Sequence, residues 1–221
     1  ATYNGKPLGS IGHLGCFSFH ATKNLISGEG GALLINDPRF AERAEVIREK
    51  GTNRSNFSRG LVDKYTWIDI GSSFLPGEGV AAFLWAQMKR MSDITAKRKE
   101  LWDEYHARLF EVSKTFGLAR PSIPSKCSHN AHMYYLILPE IIEREDFIKI
   151  MLDHGVETTS HYLPLHSSPQ GSRCSKTHGE LRNTVDLSHR LVRLPLWIGL
   201  DGYQDEVIAN VETVVRELVI A

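Results

Sequence analysis

The glycine run Gly28-Glu29-Gly30-Gly31 stands before an apolar stretch, Ala32 to Ile35, instead of after one. A dinucleotide-binding turn needs the reverse order, with glycines leaving a strand and opening a helix, so that fold is set aside. The order suits a chain reversal between two strands. Gly15 to Phe19 reads as a short strand and Ala32 to Ile35 as a second, buried one. Between them, Ser18 to Gly31 carries one lysine, Lys23, on a tight turn just after the first strand. A single lysine is as a rule a solvated surface residue. A lysine that captures an aldehyde must instead sit on a rigid element, desolvated enough for its amine to be neutral part of the time. The flanking glycines would let backbone approach a planar cofactor closely. Ser18, upstream on the strand, could offer its hydroxyl to a phosphate while the amine reaches an aldehyde carbon.

Further along, Asp37-Pro38 makes a good helix start, with Asp as cap and Pro in the first turn. Phe40, Ala44 and Ile47 form the apolar stripe of that helix, and Gly51 ends it. Thr52 to Phe74 is polar and rich in Gly and Ser, and reads as a long functional loop containing Tyr65 and Trp67. From Val80 to Val112 the spacing of Ala82, Leu84, Met88, Met91, Leu101, Tyr105 and Leu109 predicts one long bent helix or two in series. Pro121 and Pro124 mark an extended connector. Beyond it come a strand at Met133 to Leu138, a helix at Glu143 to Leu152, a strand at Val156 to Ser160 and a closing helix at Val207 to Leu218. Leu163 to Thr184 has few apolar anchors and reads as a second long loop. Strands alternating with helices predict an α/β second domain.

Composition narrows the function classes. Lys plus Arg equals Asp plus Glu at 26 each, which argues against a protein built to hold nucleic acid or an anionic membrane. With 42% hydrophobic residues a sizeable core can form, and no apolar run reaches the roughly 20 residues of a membrane helix. Cys16, Cys127 and Cys174 are far apart and odd in number, as expected for reduced thiols in the cytoplasm. Cys127-Ser128-His129 with His132 lacks a second ligand pair at metal spacing, so no metal is expected.

Ser18-Phe19-His20-Ala21-Thr22-Lys23-Asn24, followed by Gly28-Glu29-Gly30-Gly31, resembles the lysine motif of the DegT/StrS family of sugar aminotransferases. The resemblance runs through Ile47 to Ser55, Asp63 to Trp67, Asp69 to Ser73, Leu84 to Gln87, Asn130 to Met133, His161 to His166 and Arg193 to Leu196. It implies a fold-type I (aspartate aminotransferase-like) α/β transferase dependent on pyridoxal 5'-phosphate. Residues 1–95 would be the C-terminal end of its large cofactor-binding domain, and 96–221 its small α/β domain. Within the family, the resemblance points to members that aminate C4 of a dTDP-4-keto-6-deoxyhexose for enterobacterial common antigen synthesis. Glutamate is the expected donor and a homodimer the expected assembly.

By the same resemblance, Lys23 would bind the cofactor aldehyde and carry the proton between the donor carbon and the cofactor. Ser18 would hydrogen-bond the cofactor phosphate, and Ser73 stands where many members place an Asn that reaches the neighbouring subunit's cofactor. His161 and Tyr162 would lie near the sugar, and Tyr65 in a loop approaching the partner's site. A sister activity in the family, dehydration at C3, replaces the lysine with His, so Lys23 argues against it. Pro76-Gly77-Glu78-Gly79-Val80 departs from the family's usual Ser-acid-Leu-Gln helix start. The acid that pairs with the pyridine nitrogen and the phosphate-cupping loop are expected to precede Ala1. The readings left open are the aminotransferase, an inactive C-terminal piece that keeps fold and oligomer surface, and a generic α/β binding domain in which Lys23 is incidental.

Overall fold

A computed structural model describes residues 1–220 of the chain. The chain forms two compact units, one of Ala1–Asp93 with Pro124–His129, the other of Ile94–Ile123 with Asn130 onward.

In the first unit, β1 (Thr2–Tyr3) pairs antiparallel with β2 (Lys6–Pro7) and, on its other edge, with β5 (Cys127–Ser128). β3 (Leu14–Ser18) and β4 (Gly31–Ile35) form an antiparallel hairpin in the register Leu14↔Ile35, Cys16↔Leu33, Ser18↔Gly31. β4 is not buried as its apolar run suggested: Leu33 is 49% and Ile35 36% exposed. Leu14, Leu33 and Ile35 alternate onto one face and Phe17 with Leu34 onto the other. Apolar residues on both faces are the pattern of a strand pair built to be covered twice. The loop at Gly9 lies against the Phe17 and Leu34 face, while Leu14, Leu33 and Ile35 on the other face stay exposed.

The Asp37 carboxylate accepts from the Arg39 amide and starts a 3₁₀ turn, Pro38–Phe40, that leads into α1 (Ala41–Arg48). The side chain α1 buries is Val46; Phe40, assigned to the stripe from sequence, is exposed. Thr52 to Phe74 is not wholly irregular, because α2 (Arg54–Ser58) forms within it. This segment folds back on the end of α1. Ser72 donates to the Ile47 carbonyl at 3.0 Å and Ile68 to the Gly51 carbonyl at 2.8 Å. Gly71 is needed there, since a Cβ would meet the Gly51 amide nitrogen at 2.2 Å. The long helical region divides into α3 (Glu78–Lys89), α4 (Met91–Arg108) and α5 (Phe110–Phe116), broken at Arg90 and Leu109. Despite the glycines before Val80, α3 begins at Glu78 with Gly77 as its cap residue.

The second unit holds the core. β6 (Tyr134–Ile137), β7 (Thr159–Ser160) and β8 (Leu191–Leu194) form an antiparallel sheet in the order β6-β8-β7. α6 (Arg144–Asp153) and α9 (Gln204–Ile220) pack against each other and, with α4 and α5, bury Tyr105, Leu109, Phe147, Met151, Val211, Val214 and Val215. The second expected long loop contains a 3₁₀ turn (Leu165–Ser167), α7 (Gly171–Cys174) and the start of α8 (Arg182–Arg190). Among the described residues no helix is long and apolar enough to cross a membrane.

Candidate functional site

Lys23 lies on the connection between β3 and β4, and that connection is hydrogen-bonded beyond the strands. Phe19 donates to the Gly30 carbonyl at 2.8 Å and Ala21 to the Gly28 carbonyl at 2.9 Å, extending the ladder by two steps. The Lys23 amide then donates to the His20 carbonyl at 2.9 Å and closes the turn. Ser27 is buried inside the reversal, its hydroxyl donating to the Glu29 carbonyl at 2.8 Å. Gly30 has φ of +153° and a Cβ there would meet the Ser27 hydroxyl at 2.8 Å, so its glycine follows from both conformation and space.

His20 fixes the stretch that presents the lysine. Its Nδ1 accepts from the Thr22 amide at 3.2 Å and meets the Thr22 hydroxyl at 2.9 Å. An accepting Nδ1 assigns the proton to Nε2, which lies 3.5 Å from the Glu29 carboxylate. One imidazole thus ties the start of the turn to its glycine-rich end and brackets Lys23. Sequence reading noted His20 only as an upstream neighbour; the His-x-Thr spacing is the signal that could have shown the clamp.

Lys23 is exposed and enters no ion pair among the described residues, so its amine is not held by a carboxylate. Ser18 ends β3, exposed, with its Oγ 3.5 Å from the His20 amide. The two therefore share one hydrogen-bonded hairpin. Gly28 has φ of +86° and nothing within 4 Å of where a Cβ would stand, which leaves room for a flat ring beside the turn. Open space, a free amine and a nearby hydroxyl suit the aldehyde and phosphate of pyridoxal phosphate.

Ser73 and Tyr65 belong to the same unit but make their contacts elsewhere. Ser73 forms a backbone bridge to Glu49, and the Tyr65 ring stands 5.6 Å from Phe57 in edge contact. Tyr65 is half exposed.

His161 and Tyr162 lie in the second unit, directly after β7, with ring centroids 5.3 Å apart. Tyr162 is exposed and His161 half-buried. On the adjoining strand Arg193 pairs with Thr159. His161 Nδ1, Arg193 Nε and the Thr158 hydroxyl are all buried without a hydrogen-bond partner. The His161 and Arg193 nitrogens, unpaired beside the end of β7, suit a ligand that would complete them, whereas Thr158 alternates onto the opposite face. Arg193 was visible in the sequence only as part of a motif, because its place beside His161 depends on the β7–β8 register.

Burial, joined by the Arg193 charge, pulls the His161 pKa below its ordinary value of 6.5. The folded chain therefore holds the ring neutral, while the unfolded chain protonates it near 6.5. The stability this contributes is complete above that value and is lost as pH falls toward the folded pKa. We expect His161→Gln to flatten the drop in thermal midpoint between about pH 7 and about pH 5. An unchanged slope in a pH series of melting curves would contradict this assignment.

The family described as DegT/DnrJ/EryC1/StrS aminotransferases matches residues 1–212. The chain is 28% identical to the spore coat polysaccharide biosynthesis protein SpsC of Bacillus subtilis, over 97% of this chain and 57% of that protein. It is 27% identical to the dTDP-4-dehydro-2,3,6-trideoxy-D-glucose 4-aminotransferase of Saccharopolyspora spinosa, over 95% of this chain and 54% of the relative. The crystal structure of the aminotransferase TlmJ from Streptoalloteichus hindustanus superposes with a TM-score of 0.84 at 25% identity, covering 99% of this chain and 56% of that one. The chain thus spans little more than half the length of the relatives it matches. A match that takes in the Lys23 hairpin, the His161 strand end and nearly everything between places the chain in the DegT/DnrJ/EryC1/StrS aminotransferase family.

Proposed function

We propose that this chain is the lysine-bearing part of a pyridoxal-phosphate-dependent nucleotide-sugar aminotransferase. It would place an amino group from glutamate on C4 of a dTDP-4-keto-6-deoxyhexose. The observation that carries the reading is the Lys23 amine, in no ion pair among the described residues and displayed on a turn that His20 and Ser27 pin by hydrogen bonds. Pyridoxal phosphate, when bound, supplies the electron sink that makes a proton at the amino-bearing carbon removable. Lys23 Nζ would hold the cofactor's aldehyde carbon and then take up and return that proton. The Ser18 hydroxyl would bind the phosphate, with Ser73 serving a neighbouring copy in a homodimer, where Tyr65 also approaches. His161 and Tyr162 would contact the sugar, His161 in its neutral form. Residues 1–95 would belong to the cofactor-binding large domain and 96–221 to the small domain, in a cytoplasmic enzyme.

One observation favours a second reading. Lys23 is exposed and so are Leu14, Leu33 and Ile35 on one face of its hairpin, as expected of a catalytically inactive piece that keeps only fold and oligomer surface. Mixing the chain with pyridoxal phosphate separates the two. The aminotransferase reading expects a visible absorption band and, after borohydride, a cofactor mass fixed on the peptide containing Lys23. Lys23→Ala should remove both. Glutamate and a dTDP-4-keto-6-deoxy sugar should then yield the amino sugar. Capture of cofactor without product would select the inactive reading, and absence of capture would defeat the cofactor proposal.

A further inference from the structure

The second unit contains a cavity of about 640 Å³ between α4, α5 and the segment that follows α5. Trp102 and His106 of α4, Lys114 of α5, and Arg120, Ser122 and Ile123 line it. Its size lies within the range typical of small-molecule sites. In a chain with equal numbers of acidic and basic residues, no acid lines this cavity.

Lys114 and Arg120 enter no ion pair with a carboxylate among the described residues, although most of the chain's arginines do. Arg120 is anchored by bonding the His106 carbonyl and by lying over the Phe110 ring at 4.9 Å. The backbone bond and an interaction with the Tyr134 hydroxyl use only part of the guanidinium's five donors, so others remain for a ligand. Behind this wall stands Tyr134, fully buried, its ring 5.4 Å from Trp102 and 6.3 Å from His106. Burial pushes the Tyr134 hydroxyl up to about 12, against the opposing pull of the Arg120 charge. The Tyr134 hydroxyl faces the Arg120 guanidinium without a well-aligned hydrogen bond to it. A buried phenol held neutral beside the guanidinium cannot compensate it.

We propose that this cavity is a binding site for a small phosphate monoester. A phosphate monoester carries nearly two negative charges at neutral pH, which matches two uncompensated cations; a single carboxylate would leave one of them unpaired. The Ser122 hydroxyl adds a donor. A cavity this much larger than phosphate takes an organic group as well, and Trp102 and Ile123 give it an apolar wall. The site uses none of the residues assigned to the cofactor or the sugar.

Phenyl phosphate is the probe, titrated into the full chain by calorimetry beside benzoate and inorganic phosphate. Phenyl phosphate should bind more tightly than either of the other two. Lys114→Glu, at an exposed position that leaves the core intact, should weaken it by about tenfold or more. Arg120→Gln should weaken it further, with circular dichroism reporting whether the fold is kept. Lys23→Ala should leave the titration unchanged, so failure here is distinct from failure of cofactor capture. Absence of binding at millimolar probe, indifference to Lys114→Glu, or equal affinity for benzoate would each overturn the proposal.

Discussion

Amide exchange on the intact chain should be about 1,000-fold faster in β3 and β4 than in β6, β8 and α9. The expectation follows from where apolar surface is buried. Val46 is the one buried apolar side chain of the first unit among the described residues, while the second unit buries Leu101, Tyr105, Tyr134, Phe147, Val192, Val211 and many others. Backbone hydrogen bonds contribute little net stability unless packing keeps water away from them. The β3/β4 hairpin has its ladder intact but leaves Leu14, Phe17, Leu33 and Ile35 exposed. Opening it therefore exposes little new apolar surface and should cost only about 1 kcal/mol, against at least 5 kcal/mol for the second unit. Trypsin should likewise cut first at Arg54, Arg59 or Lys64 and leave the second unit whole. Equal protection in both units would show that both faces of the hairpin are covered in solution. Protection that rises with protein concentration would identify a second copy as the cover.

The contrast between the units also explains which parts of the fold were legible in the sequence. β6, α6 and α9 were found nearly to their ends, because each buries one apolar stripe against neighbours present in the chain and so shows a clean period. The apolar run Ala32–Ile35 correctly marked a strand. It misled about burial because such a run reports what a strand is built to pack against, whether or not the chain supplies it. β1, β2 and β5 left no signal, since two-residue strands are defined by pairings such as Tyr3 with Cys127, far away in sequence. The start of α8 was read as part of a loop and its remainder left no signal, because its few apolar residues, Val185 and Leu187, remain exposed. At the candidate site, Lys23 and Ser18 were visible through their motif. The roles of His20 and Arg193 were not, because each depends on a hydrogen bond or a strand register that spacing does not encode.

Arg98→Met should destabilise the second unit by about 3 kcal/mol, the larger part of it from lost charge-assisted hydrogen bonds. Arg98 is buried on α4, its Nε donating to the Ala131 carbonyl at 3.0 Å and its Nη2 to the His132 carbonyl at 2.6 Å. Burial lowers the guanidinium pKa, yet the group starts high enough to stay charged at neutral pH. A turn below, the Trp102 indole donates to the Met133 carbonyl at 3.2 Å. Three successive carbonyls leading into β6 are thus held by two side chains of one helix. The middle of this segment needs the support, because Ala131 is fully buried with φ of +50°, a conformation unfavourable by roughly 1 kcal/mol for a residue with a Cβ. Met keeps most of the volume of the Arg stem, which isolates the hydrogen bonds from the packing. Lys at position 98 should recover only part of the loss, since an ammonium cannot span two carbonyls as the planar fork does. Ala131→Gly should relieve the strain and stabilise the Arg98→Met background more than the wild type, a coupling that a double-mutant cycle in denaturant unfolding measures. Strict additivity would mean that Arg98 and the strained turn are held independently, and that Asn130–Met133 takes its shape from β6 alone.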